Sequence, residues 1–388
     1  MLRYDEILTE LRKQSLFREL RTIEEVEGTT VRVHDRFLVN FASNDYLGLS
    51  QHPSVRAAAK AAIDQFGAGA GASRLVTGTQ LPHTSAERAI AALKGVESAV
   101  LFSSGYTAAL GAMTSLVSPG DVVILDKLSH ACLIDGARLS GAAVRVFPHN
   151  DIAKLRRHLE WARRTYPSGR TLIATESIFS MDGTFGKLTE MTELKSEYGA
   201  LLMVDEAHAT GVTGPQGAGC IAALGLTNQI DVQMGTLSKA CGTSGGFVCG
   251  SGSLIQFLVN KARSFIYSTG LPPSSAAAAL AALEIIRGPE GEALRCRLSS
   301  NIRLLDECLN QNTNRITGPI SPIFPVIIGD EKKALLLAEA LYGCGFLAPA
   351  IRYPTVARGS ARIRVALSSS HSSAQICALS EAILKSRG

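Results

Sequence analysis

Lys239 stands in Gly235-Thr236-Leu237-Ser238-Lys239-Ala240, between the end of a β-rich run and a glycine-rich stretch. A neutral lysine amine attacks carbonyl carbon and forms a Schiff base with an aldehyde. Asp205 ends another β-rich run, in Leu202-Met203-Val204-Asp205-Glu206-Ala207-His208. A carboxylate at such a position can pair a pyridinium nitrogen and keep it protonated, so that the ring accepts electrons from a carbanion. A lysine and an aspartate of this kind are the pair that pyridoxal 5'-phosphate (PLP) requires. Ser104-Gly105-Tyr106 opens the helical stretch Thr107 to Leu116 and offers N–H and hydroxyl donors to a phosphate, with Thr236 and Ser238 as further donors. His130 follows a third run and adds a ring that can stack or exchange a proton. Taken singly, these residues have plainer readings: a solvated lysine, an ordinary helix cap, a core or surface histidine. Their joint occurrence at strand ends is what points to one site.

Two other motifs are set aside. Asp205-Glu206-Ala207-His208 looks like the Walker B strand of a DEAH-type ATPase, but no G-x-x-x-x-G-K-[ST] loop is present to cradle a nucleotide phosphate. Gly67-Ala68-Gly69-Ala70-Gly71-Ala72 matches G-x-G-x-x-A, yet it follows the alanine-rich helical stretch Val55 to Phe66 rather than a strand. It reads as a glycine loop serving another ligand, not as a dinucleotide site.

Such residues must be delivered by a framework. From Ala99 onward short β-rich runs alternate with helical stretches: Ala99 to Phe102, Val122 to Leu125, Ala143 to Phe147, Thr171 to Thr175, Leu201 to Val204, Val232 to Thr236 and Phe247 to Cys249. This alternation predicts an α/β layered domain with a mostly parallel, seven-stranded sheet. About ten residues join Thr236 to Phe247, fewer than a parallel crossover needs, so one antiparallel strand is expected. In open α/β sheets ligands bind beyond the carboxyl ends of the strands, and five of these ends are followed by ionisable or hydroxyl groups. Residues 1–40 read as an arm: an amphipathic helix carrying Leu8, Leu11, Leu16 and Leu20, then a strand hairpin. Residues 41–285 read as the large domain. Residues 286–388 read as a smaller α+β domain, with strands around Ile323 to Ile328 and Ala361 to Leu367.

Composition bounds the partners. The 388 residues are 46% hydrophobic and 19% charged, an ordinary globular balance that excludes a disordered tail or a charged coiled coil. Lys and Arg exceed Asp and Glu by 39 to 34, a net +5 with no long run of like charge. Nucleic-acid or membrane-surface binding is therefore not expected, and an anionic small substrate fits equally well. The longest apolar stretch, Ala276 to Leu283, falls far short of the roughly 20 residues of a bilayer helix. Met1 to Gln14 mixes acidic and basic residues, unlike a secretory signal or transit peptide, and the eight cysteines lack any C-x-x-C pair. A cytoplasmic protein with reduced thiols and no metal site is expected.

Together these segments resemble the α-oxoamine synthases, PLP enzymes of fold-type I (aspartate aminotransferase-like) that join an amino acid to an acyl thioester with loss of carbon dioxide. The resemblance runs through Asn40 to Leu49, Gly71 to Gly78, Thr175 to Gly183, Asp205 to Gly211, Gly235 to Lys239 and Tyr267-Ser268-Thr269. Within the family, Ser73 to Gly78 and Arg352 to Val356 look most like the branch that uses L-alanine and a pimeloyl thioester, carried on coenzyme A or an acyl carrier protein. Branches using glycine with acetyl-CoA or succinyl-CoA, or serine with palmitoyl-CoA, share the catalytic residues. The resemblance implies that Lys239 holds PLP covalently and then takes the α-proton, and that Asp205 pairs the ring nitrogen. It gives the ring hydroxyl to His208 and Ser180, and ring stacking and substrate orientation to His130. Gly105, Tyr106, Thr236 and Ser238 are expected at the phosphate or ring edge, with Ser268 and Thr269 reaching in from the partner subunit of a homodimer. Arg364 and Asn44 are expected to bind the amino-acid carboxylate, although by type and position Arg364 reads as a surface strand arginine. Arg21, Arg352 and Thr355 are the expected contacts of the acyl chain and its distal carboxylate.

Overall fold

Runs rich in Val, Ile and Leu, bounded by polar turns, become the strands of one twisted sheet in the computed structural model, which describes residues 3–309 and 321–387. The seven strands lie in the spatial order Ser98–Phe102, Gly246–Gly250, Val232–Thr236, Leu201–Asp205, Thr171–Glu176, Val122–Asp126, Ala143–Phe147. Gly246–Gly250 is antiparallel to both neighbours and the other pairings are parallel, as the short Thr236 to Phe247 connection predicts. The middle strands are buried, apart from the half-buried Leu201 that opens one of them, because helices cover both faces. Val100, Leu125, Met203 and Met234 pack with Ala108, Met113 and Leu133 of the covering helices. Full burial contributes about 1.5–3 kcal/mol for each large apolar side chain.

The chain divides into two compact units, Leu49–Ser180 with Thr184–Arg295, and Met1–Gly48 with Met181–Gly183 and Cys296–Gly388. The segmentation read from sequence differs in two respects. The chain changes unit at Cys296 rather than near Ile285, since helical periodicity does not say which neighbour a helix packs against. The N-terminal residues are not a separate arm. Strands Glu25–Glu27, Thr30–Val33 and Arg36–Asn40 form an antiparallel meander whose last strand pairs in parallel with Phe346–Leu347. The N-terminal helix also ends earlier than its leucine spacing predicts, at Lys13. Ser15 turns into the left-handed region with φ +57°, Leu16 is buried and Leu20 is exposed.

The smaller unit contains a second sheet, Ile323–Gly329, Ala361–Ala366, Ala350–Ile351, with helices Glu331–Gly343 and Ser373–Arg387. His371 joins its parts. The ring stacks on Phe41 at 4.1 Å, Nδ1 accepts the Ser368 N–H at 2.9 Å, and Nε2 lies 3.2 Å from the Asn40 carbonyl. Both bonds are met by the neutral ring protonated at Nε2, and burial pushes its pKa down to about 4. Below about pH 6.5 the unfolded chain takes up a proton that the folded chain refuses, so stability is full above that pH and falls toward pH 4. The expected loss from this group is on the order of 2–3 kcal/mol. Urea unfolding at pH 7.5 and 4.5 measures it, and His371→Gln should flatten the difference; an unchanged pH dependence in that variant would assign the loss to other groups. Among the described residues no helix is long and apolar enough to cross a membrane, and no cluster of His, Cys, Asp or Glu can hold a metal ion.

Candidate active site

Parallel strands that end together bring the polar residues following them to one edge of the sheet. Asp205 is the last residue of Leu201–Asp205 and lies in register with Glu176, the last residue of Thr171–Glu176. The turn after Asp205 carries His208, whose Nε2 is 2.6 Å from Lys239 Nζ. Asp205 is buried and its Oδ1 accepts the Ala207 N–H at 2.8 Å. Burial raises its pKa above the usual carboxylate range, and the Lys239 ammonium is the largest opposing influence. The predicted lysine, aspartate and histidine therefore belong to one electrostatic cluster in the larger unit.

His130 caps helix Ala131–Ser140, with Nδ1 accepting the Cys132 N–H at 3.3 Å. Burial lowers its pKa against the pull of Asp205, while Lys239 adds to the lowering. A neutral imidazole ring results, suited to stacking on an aromatic ring. Its backbone N–H donates to Glu176 Oε1 at 2.6 Å. Glu176 is a functional candidate that reading by residue type passed over. Completely buried beside Asp205, its carboxyl is driven well above the usual range, by burial first and then by the Asp205 charge. Backbone N–H groups of His130 and Ser180 both reach it, so it ties the histidine to the segment containing Ser180. The available signal was a carboxylate at a strand end, but only register places it next to Asp205.

The phosphate-binding candidates also come together. Helix Gly105–Leu116 begins with a capping box in which Ser104 Oγ accepts the Thr107 N–H at 3.1 Å and Thr107 Oγ1 accepts the Ser104 N–H at 3.0 Å. The plain helix-cap reading thus holds for Ser104, and the Gly105 and Tyr106 amides are the first two of the helix, with no intrahelical carbonyl to bond. Thr236 Oγ1 donates to the Gly245 carbonyl at 2.8 Å and lies 2.8 Å from Ser238 Oγ, so both hydroxyls border this helix start. A Cβ on Gly105 would lie 3.2 Å from Thr236 Cβ. A Cβ on Gly246 would meet the Gly105 nitrogen and the Ser104 backbone at 2.4 Å, so only glycine lets this strand approach the helix. The Tyr106 side chain departs from expectation: its hydroxyl donates to Asp135 Oδ2 at 2.5 Å, leaving the backbone amide as its contribution here. Ser268 and Thr269 lie in the surface segment where Thr269 bridges to Ser73.

In the smaller unit, Arg364 lies on Ala361–Ala366, a strand buried along its whole length, so it is not a surface arginine. Its Nη2 donates to Asn44 Oδ1 at 3.0 Å and lies 3.5 Å from the Tyr46 hydroxyl. Burial pushes the Tyr46 phenol up to about 12, against the pull of Arg364. Arg364 and Asn44, the two residues expected at the amino-acid carboxylate, are thus in direct contact. Arg352 makes backbone contacts. Its two terminal nitrogens donate to the Ser15 and Phe17 carbonyls, while Arg18 Nη2 donates to the Tyr353 carbonyl at 3.0 Å. Its guanidinium thus clasps the N-terminal backbone. Arg21 lies over the Tyr342 ring at 5.5 Å, beside Arg36 at 5.1 Å. Thr355 is exposed and its N–H bonds the Arg352 carbonyl at 3.0 Å.

The larger unit's donor set fits PLP: an amine, a buried carboxylate at the end of the adjoining strand, two histidines, and a helix start flanked by hydroxyls with a glycine-limited approach. Comparison with known proteins agrees. The aminotransferase class I and II family profile matches residues 37–383. The 8-amino-7-oxononanoate synthase of Geobacter sulfurreducens is 44% identical over 364 residues, covering 94% of this chain and 92% of that protein. That of Anaeromyxobacter dehalogenans is 46% identical over 369 residues, covering 95% and 91%. Serine palmitoyltransferase from S. paucimobilis, solved with bound PLP and myriocin, superimposes with a TM-score of 0.92 at 30% identity over 99% of this chain and 96% of that one. An 8-amino-7-oxononanoate synthase from Francisella tularensis superimposes with a TM-score of 0.76 at 29% identity, over 90% and 97%. With identities of 44% and 46% over more than nine-tenths of its length, the chain belongs to the α-oxoamine synthase branch of the PLP-dependent, fold-type I aminotransferase class I and II family.

Proposed function

We propose that this protein condenses L-alanine with the acyl group of a pimeloyl thioester, on coenzyme A or an acyl carrier protein, to give 8-amino-7-oxononanoate, carbon dioxide and the free carrier. This is a step of biotin biosynthesis. The observation that carries the reading is the Lys239, His208 and Asp205 cluster in a chain 44–46% identical to synthases of that name. PLP, when bound, withdraws electrons from the substrate α-carbon into its protonated ring.

The chain's own residues supply the rest. Lys239 Nζ would hold the cofactor and, as a free amine, would take the substrate's α-proton. Asp205 keeps the ring nitrogen protonated, and His208 and Ser180 hydrogen-bond the ring hydroxyl. His130 covers the ring face and orients the substrate, with Glu176 fixing its backbone. The Gly105 and Tyr106 amides and the Thr236 and Ser238 hydroxyls bind the phosphate. Arg364 takes the amino-acid carboxylate through its guanidinium fork, with Asn44 fixing the fork's orientation. Arg21 and Thr355 contact the acyl chain and its carboxylate. A homodimer in which Ser268 and Thr269 serve the partner's site completes the proposal. The eight free cysteines favour a reducing, cytoplasmic setting.

A second reading, serine with palmitoyl-CoA, is favoured by one observation, the TM-score of 0.92 to a serine palmitoyltransferase. Incubating the PLP-loaded protein with alanine, glycine or serine, each with pimeloyl-, acetyl-, succinyl- or palmitoyl-CoA, separates the readings. Product masses and released thiol should identify alanine with pimeloyl-CoA as the preferred pair. Preference for serine with palmitoyl-CoA would install the second reading, and no turnover with any pair would overturn both.

A further inference from the structure

Beneath the Asp205 to His208 turn lies a buried ion pair with no role in the chemistry above. Lys94, the last residue of helix Leu81–Lys94, is 2% exposed. Its Nζ donates to Glu206 Oε2, Thr210 Oγ1 and the Ala218 carbonyl, each at 2.8 Å, which uses all three ammonium hydrogens. Glu206, fully buried, accepts the Ile221 N–H on Oε1 at 2.9 Å, and its own N–H donates to the Met234 carbonyl at 2.8 Å. Gly219 has φ +108°, and a Cβ there would lie 2.3 Å from Glu206 Oε2. The loop therefore closes on the carboxylate only because it has glycine at that point.

Stability is a weak reason for such a pair, since apolar residues of similar volume commonly serve a core as well or better. Its position suggests another. Glu206 adjoins Asp205 in sequence and bonds the turn that carries His208: its carbonyl accepts the Ala209 N–H at 3.0 Å and the Thr210 N–H at 2.9 Å. Left alone, the Glu206 charge would work against ionisation of its neighbour.

We propose that Lys94 and Glu206 are a positioning pair: Lys94 clamps the Asp205 to Thr210 turn to the Ala218 loop and offsets the Glu206 charge, so that Asp205 stays ionised for a pyridinium nitrogen. The inference rests on the PLP assignment. Asp205 also feels Lys239, which follows strand Val232–Thr236, His130 at the start of helix Ala131–Ser140, Cys132 within that helix, and Glu176 on the adjoining strand. Glu206 acts on it as a like charge that raises its pKa.

The test is PLP affinity of the apoprotein across pH 4.5 to 9, by equilibrium dialysis, with the apoprotein's melting temperature measured beside it. Lys94→Met leaves Glu206 uncompensated and should move the acid limb of the affinity profile up by about half a unit or more. Glu206→Gln removes the like charge and should move the limb down, and Lys94→Met/Glu206→Gln should return it to the wild-type position. A purely structural pair would lower melting temperatures in all three without opposite shifts. That result, or an unmoved limb, overturns the inference. If Lys94→Met does not fold, the downward shift in Glu206→Gln and its reversal in the double variant decide the matter. Failure of the wild-type protein to take up PLP would overturn the cofactor assignment too, which distinguishes the two failures.

Discussion

Lys239→Ala is expected to carry no covalently held cofactor and to lose turnover by on the order of 10⁴-fold or more, since the variant lacks the one amine proposed both to anchor PLP and to take the α-proton. The structure leaves no obvious substitute, because the other amine described near this turn, Lys94, is enclosed by Glu206, Thr210 and Ala218. Borohydride reduction of the PLP-loaded wild-type protein should fix a pyridoxyl mass on the peptide containing Lys239. The same treatment of Lys239→Ala should leave every peptide unlabelled. The apoprotein's melting temperature should change little, because the lysine stands at a strand end and not within the hydrophobic core. Sustained turnover in Lys239→Ala, or a label on a different lysine, would remove Lys239 from the centre of the mechanism.

Arg364→Ala is expected to raise the KM for alanine about a hundredfold, which corresponds to loss of a bidentate, charge-assisted contact worth about 3 kcal/mol. PLP affinity should stay within about threefold of wild type, because Arg364 is not among the residues proposed to hold the cofactor. Arg364→Lys should recover only part of the affinity, since an ammonium keeps the charge but not the planar fork that Asn44 orients. Parallel loss of alanine and PLP binding would show Arg364 to be structural. So would a collapse in melting temperature, which the bond to Asn44 and the contact with buried Tyr46 make the main competing outcome.

Much of the catalytic edge was legible in residue order. Alternating β-rich and helical stretches are local patterns, and once a parallel sheet is inferred, whatever follows each strand must arrive at one edge. Asp205, His208, Lys239 and His130 could therefore be assigned to one site, and the antiparallel strand followed from the length of a single connection. Roles that depend on chemistry at a strand end travel with the motif.

What the amino-acid order left open concerns contacts between distant segments. Glu176 neighbours Asp205 through strand register, and Lys94 meets Glu206 across 112 residues of chain. Neither separation leaves a local signature. Long side chains behave likewise: Arg352 turns to the Ser15 and Phe17 carbonyls, and Tyr106 to Asp135, because a guanidinium or phenol takes whatever partner the fold brings within reach. Burial was equally hidden, since Arg364 looks like a surface residue until its strand is covered on both faces. Thus the sequence by itself determined the α/β order and which candidate reactive groups gather at one sheet edge, because both are written in local pattern and residue type. Tertiary structure alone decided which charges neutralise one another and where each long side chain ends, because those depend on register and packing between residues far apart in the chain.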